Sequence, residues 1–521
     1  MGWNNQKGTV LVSLSFLDFG GGKMKKKACF NNKKYLKIQS EEILKRISKF
    51  DDKLYLEFGG KLFDDYHASR VLPGFLPDSK LRMLLTIKNK VEIVIVVNTT
   101  DIKNQKVRND IGITYENEVE RLIDAFHEAD LYVGSVVLSF YEDSPIVENF
   151  ITKLNNYGVK VYKHYKIAGY PQSIPLIVSE EGLGKNEYIQ TTRPLVVITA
   201  PGPGSGKMAT ALSQLYHDNK NGIHAGYAKY ETFPIWNLPL DHPVNLAYEA
   251  ATADLKDVNM IDPFHLSAYG TLAVNYNRDI ETFPLLKAIF EKIHGTCPYQ
   301  SPTDMGVNMA GFAIENDEMA RQASINEVIR RYYQTKKLHF LGSFDDESVA
   351  KVEILMNRLN VTPLDRKCVA PCLKKQEKTG ELVVSIELPN HKVVTGKRSQ
   401  LLSASSAALL NSLKVLAKID DSIPLLSRRV IEPIKQIKEG ALKQHNARIR
   451  AEEILVALAI QASNNPLADL ALQQLPKLRG CQAHSSHILT EVEAKTFKKL
   501  GIDMTEEAVS YAQKIYVKER D

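Results

Sequence analysis

Long hydrophobic runs are missing from this chain of 521 residues: none approaches the roughly 20 apolar residues that a membrane-spanning helix needs. The longest apolar runs, residues 91–97 and 454–460, have the lengths of a core strand and a core helix. Cysteine is also scarce. Five scattered cysteines, an odd number in so long a chain, favour a reducing compartment over a disulfide framework. We therefore expect a cytoplasmic protein with no membrane partner.

A strong charge of either sign is missing as well. The 67 Lys and Arg residues against 61 Asp and Glu residues give a net charge of +6, and no long basic block is interleaved with aromatic residues. This pattern does not indicate nucleic-acid binding, so no nucleic-acid partner is expected. With 44% hydrophobic and 25% charged residues, the composition is that of a globular protein, and the length favours about two to four domains.

The residue pattern of a zinc metalloprotease is absent. No H-E-x-x-H occurs, because His127-Glu128 is followed by Ala, Asp and Leu. Residues 481–487, Cys-Gln-Ala-His-Ser-Ser-His, bring one cysteine and two histidines close together in sequence. Neither a helix nor a strand would direct all three to one side, and a fourth ligand is unspecified. We expect no zinc.

A glycine-rich loop stands between an apolar run and a helix-forming segment. Residues 195–198 are apolar and β-branched or aliphatic, residues 202–206 are Gly-Pro-Gly-Ser-Gly, and the helical segment follows. This order is typical of phosphate sites, because glycines let successive backbone N–H groups point into one concavity at a helix N-terminus. Lys207 adds a cation that would also serve in catalysis. The predicted phosphate-binding residues are Gly202, Gly204, Ser205, Gly206, Lys207 and Thr210.

The match to the Walker A pattern G-x-x-x-x-G-K-[ST] is partial. Gly206 and Lys207 satisfy it, whereas Pro201 stands at the first glycine and Met208 at the Ser/Thr whose hydroxyl binds Mg²⁺. Thr210 is a poor substitute for this hydroxyl, since it lies two residues after Met208 and therefore roughly 200° around the helix from it. The sequence therefore predicts ATP, another nucleotide or another phosphorylated small molecule as ligand and leaves Mg²⁺ open.

The same loop leaves two other functions open. The dinucleotide fingerprint G-x-G-x-x-G needs a third glycine where Lys207 stands, but Glu231, in the region about 20 residues on, is available for a ribose hydroxyl. That interpretation predicts a dinucleotide-dependent oxidoreductase. The second open function is that of a non-catalytic ligand-binding or scaffold protein, in which Met208 reflects the loss of magnesium chemistry.

Residues 240–243, Leu-Asp-His-Pro, resemble the Asp-His-Pro segment of uridine-kinase-like P-loop enzymes. The resemblance implies that Asp241 acts as the base toward an acceptor hydroxyl, beside Lys207, in a phosphotransferase. The alternative is a helix start, in which Asp241 is the N-cap beside Pro243. Both interpretations stay open.

A polar run follows the strand predicted at residues 53–58. Because loops at strand ends often carry function, it is a candidate site for a substrate or for magnesium, with Arg70 suited to an anion. The alternative is a helix cap at Asp64 and a surface network for the others. The candidate residues are Asp64, Asp65, His67 and Arg70.

The middle segment, residues 259–337, is expected to form a helical subdomain that could hold an acceptor site. Asp304 is the candidate there, although Thr303-Asp304 before a glycine also fits a turn. Arg321, Arg330 and Arg331 follow a helical spacing. They could reach phosphates, but a solvated face is favoured.

Strand and helix patterns alternate from residue 24 onward, which predicts an α/β fold with a doubly wound, mostly parallel sheet. Ligands of such sheets bind at the carboxyl ends of the strands. We expect the α/β domain to span residues 24–340. A C-terminal α+β domain, residues 341–521, is apolar enough to support a homo-oligomer. Residues 1–23 are expected to be a non-native or disordered extension, with the natural start at Met24.

The whole chain, from residue 24 to residue 521, resembles a bacterial family of proteins of similar length to which no reaction is assigned. Some members carry the label of an ATP-dependent zinc protease or a cyclic-nucleotide phosphodiesterase, and the missing H-E-x-x-H argues against the first. The runs that carry the resemblance are residues 53–75, 191–208 and 480–485.

Overall fold

The computed structural model describes residues 28–51, 53–60, 62–63, 65–108, 112–444 and 446–510. They form two compact units, Ala28–Thr362 and a second unit that begins at Pro363. The extension predicted for residues 1–23 lies outside the described residues.

The first unit is built on short strands whose side chains are mainly aliphatic, as expected for a sheet that is covered on both faces. Its strands are β1 (Leu54–Phe58), β2 (Val91–Asn98), β3 (Val107–Arg108), β4 (Ile113–Thr114), β5 (Tyr132–Ser139), β6 (Lys160–Lys163), β7 (Leu195–Thr199), β8 (Gly226–Tyr230), β9 (Asn259–Ile261), β10 (Val274–Tyr276) and β11 (Gly306–Val307).

Helices follow most of these strands. They are α1 (Asn32–Ile47), α2 (Tyr66–Val71), α3 (Ser79–Thr86), α4 (Thr99–Lys103), α5 (Tyr115–Glu128), α6 (Pro145–Asn156), α7 (Ile174–Ile177), α8 (Lys207–Lys220), α9 (Pro243–Ala251), α10 (Pro263–Tyr269), α11 (Asn277–His294), α12 (Pro302–Met305), α13 (Asp317–Phe340) and α14 (Asp346–Arg358). The division expected after residue 340 falls between α13 and α14, and both helices lie within the first unit.

Within the described residues, the central sheet has seven strands in the order β11-β8-β1-β7-β2-β5-β6. Every neighbouring pair in it is parallel. The carboxyl ends of all its strands therefore meet at one edge. The predicted α/β fold with a mostly parallel sheet is confirmed. Smaller antiparallel pairs join β9 to β10 and β3 to β4.

Helices cover both faces of the central sheet. The Tyr230 hydroxyl of β8 lies 2.6 Å from the Tyr35 hydroxyl of α1. Tyr227, three residues earlier on β8, points to the opposite face and packs its ring against Phe290 of α11. The doubly wound arrangement predicted from the sequence is thus present.

The second unit combines a small mixed sheet with helices, which confirms the predicted α+β class. The sheet order is β13-β12-β14-β15; β12 is antiparallel to both of its neighbours, and β14 is parallel to β15. The elements are β12 (Val383–Glu387), β13 (Val393–Lys397), β14 (Gln482–Ser485), β15 (Asp503–Glu506), α15 (Val369–Thr379), α16 (Ala404–Ala417), α17 (Arg428–Gln436), α18 (Ala451–Ala462), α19 (Pro466–Leu472) and α20 (Glu491–Leu500).

Among the described residues, no helix combines the length and the apolar character that crossing a membrane requires.

Short helical turns connect the longer elements. The 3₁₀ turns are Lys88–Lys90, Leu183–Lys185, Ala253–Leu255, Ala310–Ala313, Pro363–Asp365 and Leu475–Leu478, and Ile437–Ala441 is a π-helical turn.

Candidate functional site

The glycine-rich loop lies between β7 and α8, at the carboxyl edge of the central sheet. Gly204 and Gly206 have positive φ angles of 73° and 88°. Residues with a Cβ atom avoid this region, so the backbone conformation explains both glycines. Gly206 directly precedes α8 in a left-handed conformation. The loop therefore turns sharply into the start of a 14-residue helix.

Close packing fixes the loop from two sides. A Cβ atom at position 202 would lie 2.1 Å from the hydroxyl oxygen of Tyr115, the first residue of α5, so a larger residue here would require the Tyr115 side chain to shift. On the other side, Ser139 at the end of β5 donates a hydrogen bond from Oγ to the carbonyl oxygen of Ser205, at 2.6 Å. Two elements from elsewhere in the chain, α5 and the end of β5, thus contact the loop.

The loop presents donors that no other part of the described chain uses. In the described residues, four successive backbone N–H groups donate no hydrogen bond, those of Gly204, Ser205, Gly206 and Lys207. The hydroxyl oxygens Ser205 Oγ and Thr210 Oγ1 are buried and have no hydrogen-bond partner. A buried polar group without a partner costs about 1–3 kcal/mol, so each requires an explanation. An oxyanion at the positive end of α8 would use these donors.

Lys207 adds an ammonium group at the same place. Its Nζ lies 4.0 Å from Glu57 Oε1, and the two side chains are 15% and 16% exposed. Glu57 is oriented by Tyr227, whose hydroxyl donates to Glu57 Oε2 at 2.8 Å. The separation between Lys207 and Glu57 exceeds hydrogen-bond distance. The ammonium therefore keeps its donors for another acceptor while Glu57 holds it near the loop.

Glu231, the residue directly after β8, is a carboxyl group that keeps its proton at neutral pH. Burial, together with the carboxylates of Asp279 and Glu57, raises the pKa of Glu231 to about 8, against the opposing effect of Lys229. Asp279 itself pairs with Lys229 at 2.7 Å. Lys229 and Glu57 are direct neighbours in the register of β8 and β1. Acids and bases with pKa values near 7 are suited to proton transfer.

Asp241 lies on the surface. Its carboxylate is 79% exposed and pairs with Arg358 of α14. No contact among the described residues joins Asp241 to the loop. α9 begins at Pro243, and its cap is His242, whose side chain accepts a hydrogen bond from the Val244 N–H. The role of Asp241 as a base stays a prediction.

The polar run after β1 begins with structural contacts, and Asp64 lies outside the described residues. Asp65 caps α2 by accepting from the Ala68 N–H at 3.1 Å and pairs with Lys80 Nζ at 3.1 Å. Burial opposes the ionisation of Asp65, but Lys80 and the Ala68 N–H outweigh it and lower its pKa. Lys80 also donates to the carbonyl oxygen of Gly59 at 3.0 Å. Asp65 thus ties α2 and α3 to the end of β1.

The remaining candidates fall into two places: His67 and Arg70 share one contact, and Asp304 makes other contacts. His67 and Arg70 both contact Glu327 of α13, at 3.2 Å and 2.8 Å. Asp304 lies in α12, where it accepts hydrogen bonds from the Tyr269 hydroxyl at 2.7 Å and from the Gln300 N–H at 2.9 Å. These contacts join α12 to α10 and to the segment before α12, and the role of Asp304 in an acceptor site stays a prediction.

Sequence reasoning missed several residues of the site. Glu57 and Lys229 are charged residues near the carboxyl ends of otherwise apolar or small-residue strands, and this pattern was available as a signal. Tyr115, Ser139 and Asp279 reach the site from distant segments, and their own sequence surroundings carry no sign of it.

The position that binds Mg²⁺ in a complete Walker A loop has no hydroxyl group in this chain. Met208 packs its side chain against the hydrophobic core, so the position of the magnesium-binding hydroxyl is apolar. In the part of the chain that the structure describes, no group of three His, Cys, Asp or Glu side chains is arranged to hold a metal ion. His484, from the Cys481–His487 run, lies on β14 with its Nδ1 2.9 Å from Thr505 Oγ1.

Comparison with known proteins gives a match along almost the whole chain. The family model described as "Domain of unknown function DUF1846, N-terminal" matches residues 28–360, and its C-terminal counterpart matches residues 364–516. Similar relatives are UPF0371 proteins of Streptococcus pyogenes serotype M5 (strain Manfredo), S. pyogenes serotype M18 (strain MGAS8232) and Streptococcus thermophilus (strain CNRZ 1066). Each is 52% identical over 493 residues, which cover 95% of this chain and 100% of the relative.

Replacing Gly202 tests the packing of the loop. In Gly202→Ala the added methyl group would overlap the Tyr115 hydroxyl, and overpacking of this kind costs about 1–3 kcal/mol. We expect a lower free energy of unfolding in urea. Gly440→Ala is the control, because no atom of the described residues lies within 4 Å of a Cβ atom at position 440. Equal stability of the two variants would contradict the described contact.

The pKa of Glu231 predicts how stability changes with pH. The unfolded carboxyl group loses its proton near pH 4.5, whereas the folded one keeps it up to about pH 8. The folded state therefore binds more protons in this window, so the stabilisation is complete below pH 4.5 and is lost as the pH rises through 8. Glu231→Gln cannot ionise, and its urea midpoint should decline less than that of wild type over the same range.

The exposed Glu128 provides the matched control for this measurement. Glu128→Gln should follow the wild-type pH profile. If Glu231→Gln also runs parallel to wild type, Glu231 does not hold its proton in the folded chain.

Proposed function

The chain belongs to the DUF1846 family of bacterial proteins, as its resemblance predicts, and we propose that its first unit binds the phosphate group of a small phosphorylated molecule at residues 202–207. The observation that carries the proposal is the set of unused donors at the start of α8. Four N–H groups, the Lys207 ammonium and the Ser205 and Thr210 hydroxyls belong to one short stretch of chain. Together they match the acceptor-rich surface of a phosphate.

Position in the sheet supports the same proposal. Ligands of open parallel sheets bind beyond the carboxyl ends of the strands, and the loop follows the carboxyl end of β7, near the middle of the sheet. On this edge, Glu57 is the next-to-last residue of the neighbouring strand β1, and Glu231 directly follows β8. A bound phosphoryl group would thus have a proton-carrying side chain nearby.

The catalytic form of the proposal is phosphoryl transfer or phosphate-ester hydrolysis. Lys207 and the loop N–H groups would stabilise the charge that develops on the transferred group. Glu231, protonated at neutral pH, would donate a proton to the leaving oxygen. Glu231 is better placed for this than Asp241, because Glu57 acts on Glu231 and also lies beside Lys207, whereas Asp241 pairs with Arg358 on the surface.

A dinucleotide is the second candidate ligand, favoured by the position of Glu231 directly after β8. Two observations favour a phosphate over it. Lys207 occupies the place of the third glycine, and β1 lies between β7 and β8. In the classic dinucleotide fold the strands on either side of the glycine-rich turn and its helix are neighbours.

A panel of ligands tests the proposal. Thermal unfolding of wild type, Lys207→Ala and Lys220→Ala would be followed with ATP, GTP, NAD, NADP and inorganic phosphate, each with and without Mg²⁺. A ligand at a hundred times its Kd stabilises the folded state by about 2.7 kcal/mol. We expect a rise in Tm for wild type that is smaller in Lys207→Ala, which lacks the ammonium group at the loop. Lys220→Ala, at the exposed end of the same helix, should keep the full rise.

Two outcomes would contradict phosphate binding at the loop: no rise with any ligand, or an equal rise in wild type and Lys207→Ala.

A ligand that binds should then be tested for phosphate release. Glu231→Gln should slow release by about 10²-fold or more, the usual effect of losing a general acid. Binding without turnover would favour the non-catalytic ligand-binding protein.

A further inference from the structure

A cluster of arginines lies between α2 and α13. The carboxylate of Glu327, whose side chain is 1% exposed, accepts hydrogen bonds from Nε of Arg70 at 2.8 Å, of Arg330 at 2.6 Å and of Arg331 at 2.9 Å. The prediction that Arg330 and Arg331 lie on a solvated helix face is wrong, since their side chains are only 14% and 18% exposed. Three guanidinium groups are therefore gathered in a largely buried place.

Glu327 does not balance the charge of this cluster. Arg70 and Arg331 contact no carboxylate other than Glu327 within the described residues, so two positive charges meet one negative charge. Burial, together with the charges of Arg330 and Arg70, lowers the pKa of Arg331 to about 10, against the opposing attraction of Glu327. An anion bound here would relieve this repulsion.

His67 adds a buried polar atom with no partner. Its Nδ1 lies 3.2 Å from Glu327 Oε1 and 3.5 Å from Arg331 Nη2, so either tautomer has a partner at Nδ1. Its Nε2 is buried and makes no hydrogen bond. Burial lowers the pKa of His67, which leaves the ring neutral at pH 7. Nε2 is therefore available to accept from, or donate to, a ligand.

The cluster lies at the same edge of the sheet as the loop. α2 follows the carboxyl end of β1, and the His67 ring packs edge-on against Phe233, with centroids 5.3 Å apart. Phe233 comes two residues after Glu231, beyond the carboxyl end of β8, and stacks on Tyr248. These aromatic contacts connect the His67 side of the cluster with the segment that follows β8.

We infer that Arg70, Arg331 and His67 form a second phosphate-binding site, separate from residues 202–207. Planar guanidinium groups donate pairs of parallel hydrogen bonds, which match the oxygens of a phosphate. A phosphate group carries a charge of about −1.5 to −2 at neutral pH, which exceeds what a carboxylate would supply to this cluster. The site does not depend on the loop, so it can bind phosphate whether or not the loop does.

Equilibrium dialysis of the full chain with labelled inorganic phosphate at constant ionic strength tests this inference. Wild type should bind two phosphates per chain. Lys207→Ala and Arg70→Gln should each bind one, and the double variant none. Arg121→Gln is the matched control, because Arg121 also bridges a buried glutamate, Glu118, and it should still bind two.

The outcomes separate the two sites. If Arg70→Gln binds as many phosphates as wild type, the second site does not exist. If wild type binds one phosphate that only Lys207→Ala removes, the second site is likewise overturned and the loop site stands. If only Arg70→Gln removes it, the second site stands and the loop proposal fails.

Arg331→Lys provides a second variant in case Arg70→Gln does not fold. It keeps the positive charge but loses the paired donors of the guanidinium group. Losing one hydrogen bond to a charged group costs about 1.5–3 kcal/mol, so we expect phosphate at this site to bind at least about tenfold more weakly. Unchanged affinity would contradict the inference.

Discussion

The parallel alignment of the central strands is the constraint on which the rest of the first unit depends. It brings the ends of β1, β7 and β8 to one edge, and with them Glu57, the glycine-rich loop and Glu231. Moving one strand by a single residue would turn its charged side chain to the opposite face of the sheet. The register of β8 on β1, which sets Lys229 beside Glu57, therefore decides which charges meet at this edge.

Charge at this edge is partly buried, and its pairing is incomplete. Lys229 has a close partner in Asp279, but Lys207 stands 4.0 Å from Glu57, beyond hydrogen-bond distance. Around Glu327, arginine side chains outnumber carboxylates in the described contacts. Buried ions that are poorly paired destabilise a fold, and such places are where proteins bind oppositely charged ligands or carry out chemistry. The loop and the surroundings of Glu327 are two such places among the described residues of the first unit, and both have excess positive charge or unused donors.

The parts of this account that are local in sequence could be predicted, and the parts that join distant segments could not. The strand, the loop and the helix from residue 195 to residue 220 follow from adjacent residues, because β-branched side chains, glycines and helix formers each favour their own backbone conformation. The contact of Gly202 with Tyr115 joins segments 87 residues apart, and no local pattern indicates it. The gathering of Arg70 with Arg331 depends equally on how α2 and α13 pack.

The resemblance to a motif also made Asp241 a candidate catalytic base, with a helix cap as the alternative, whereas the position of a carboxyl group depends on the whole fold. The sequence identified Glu231 only as a residue in the region about 20 positions after the glycine-rich loop, and it gave no indication that the pKa of this side chain is raised. That shift comes from burial and from Asp279 and Glu57, which the sheet and α11 bring to it. Electrostatic properties of this kind follow only from three-dimensional neighbours.

The most direct test of phosphate binding at residues 202–207 is a crystal structure of the full chain grown with inorganic pyrophosphate. The account predicts a phosphate group with oxygens about 2.7–3.2 Å from the backbone N–H groups of Gly204 to Lys207 and from Lys207 Nζ. A structure in which these N–H groups donate to other parts of the chain, with pyrophosphate bound elsewhere or not at all, would contradict it.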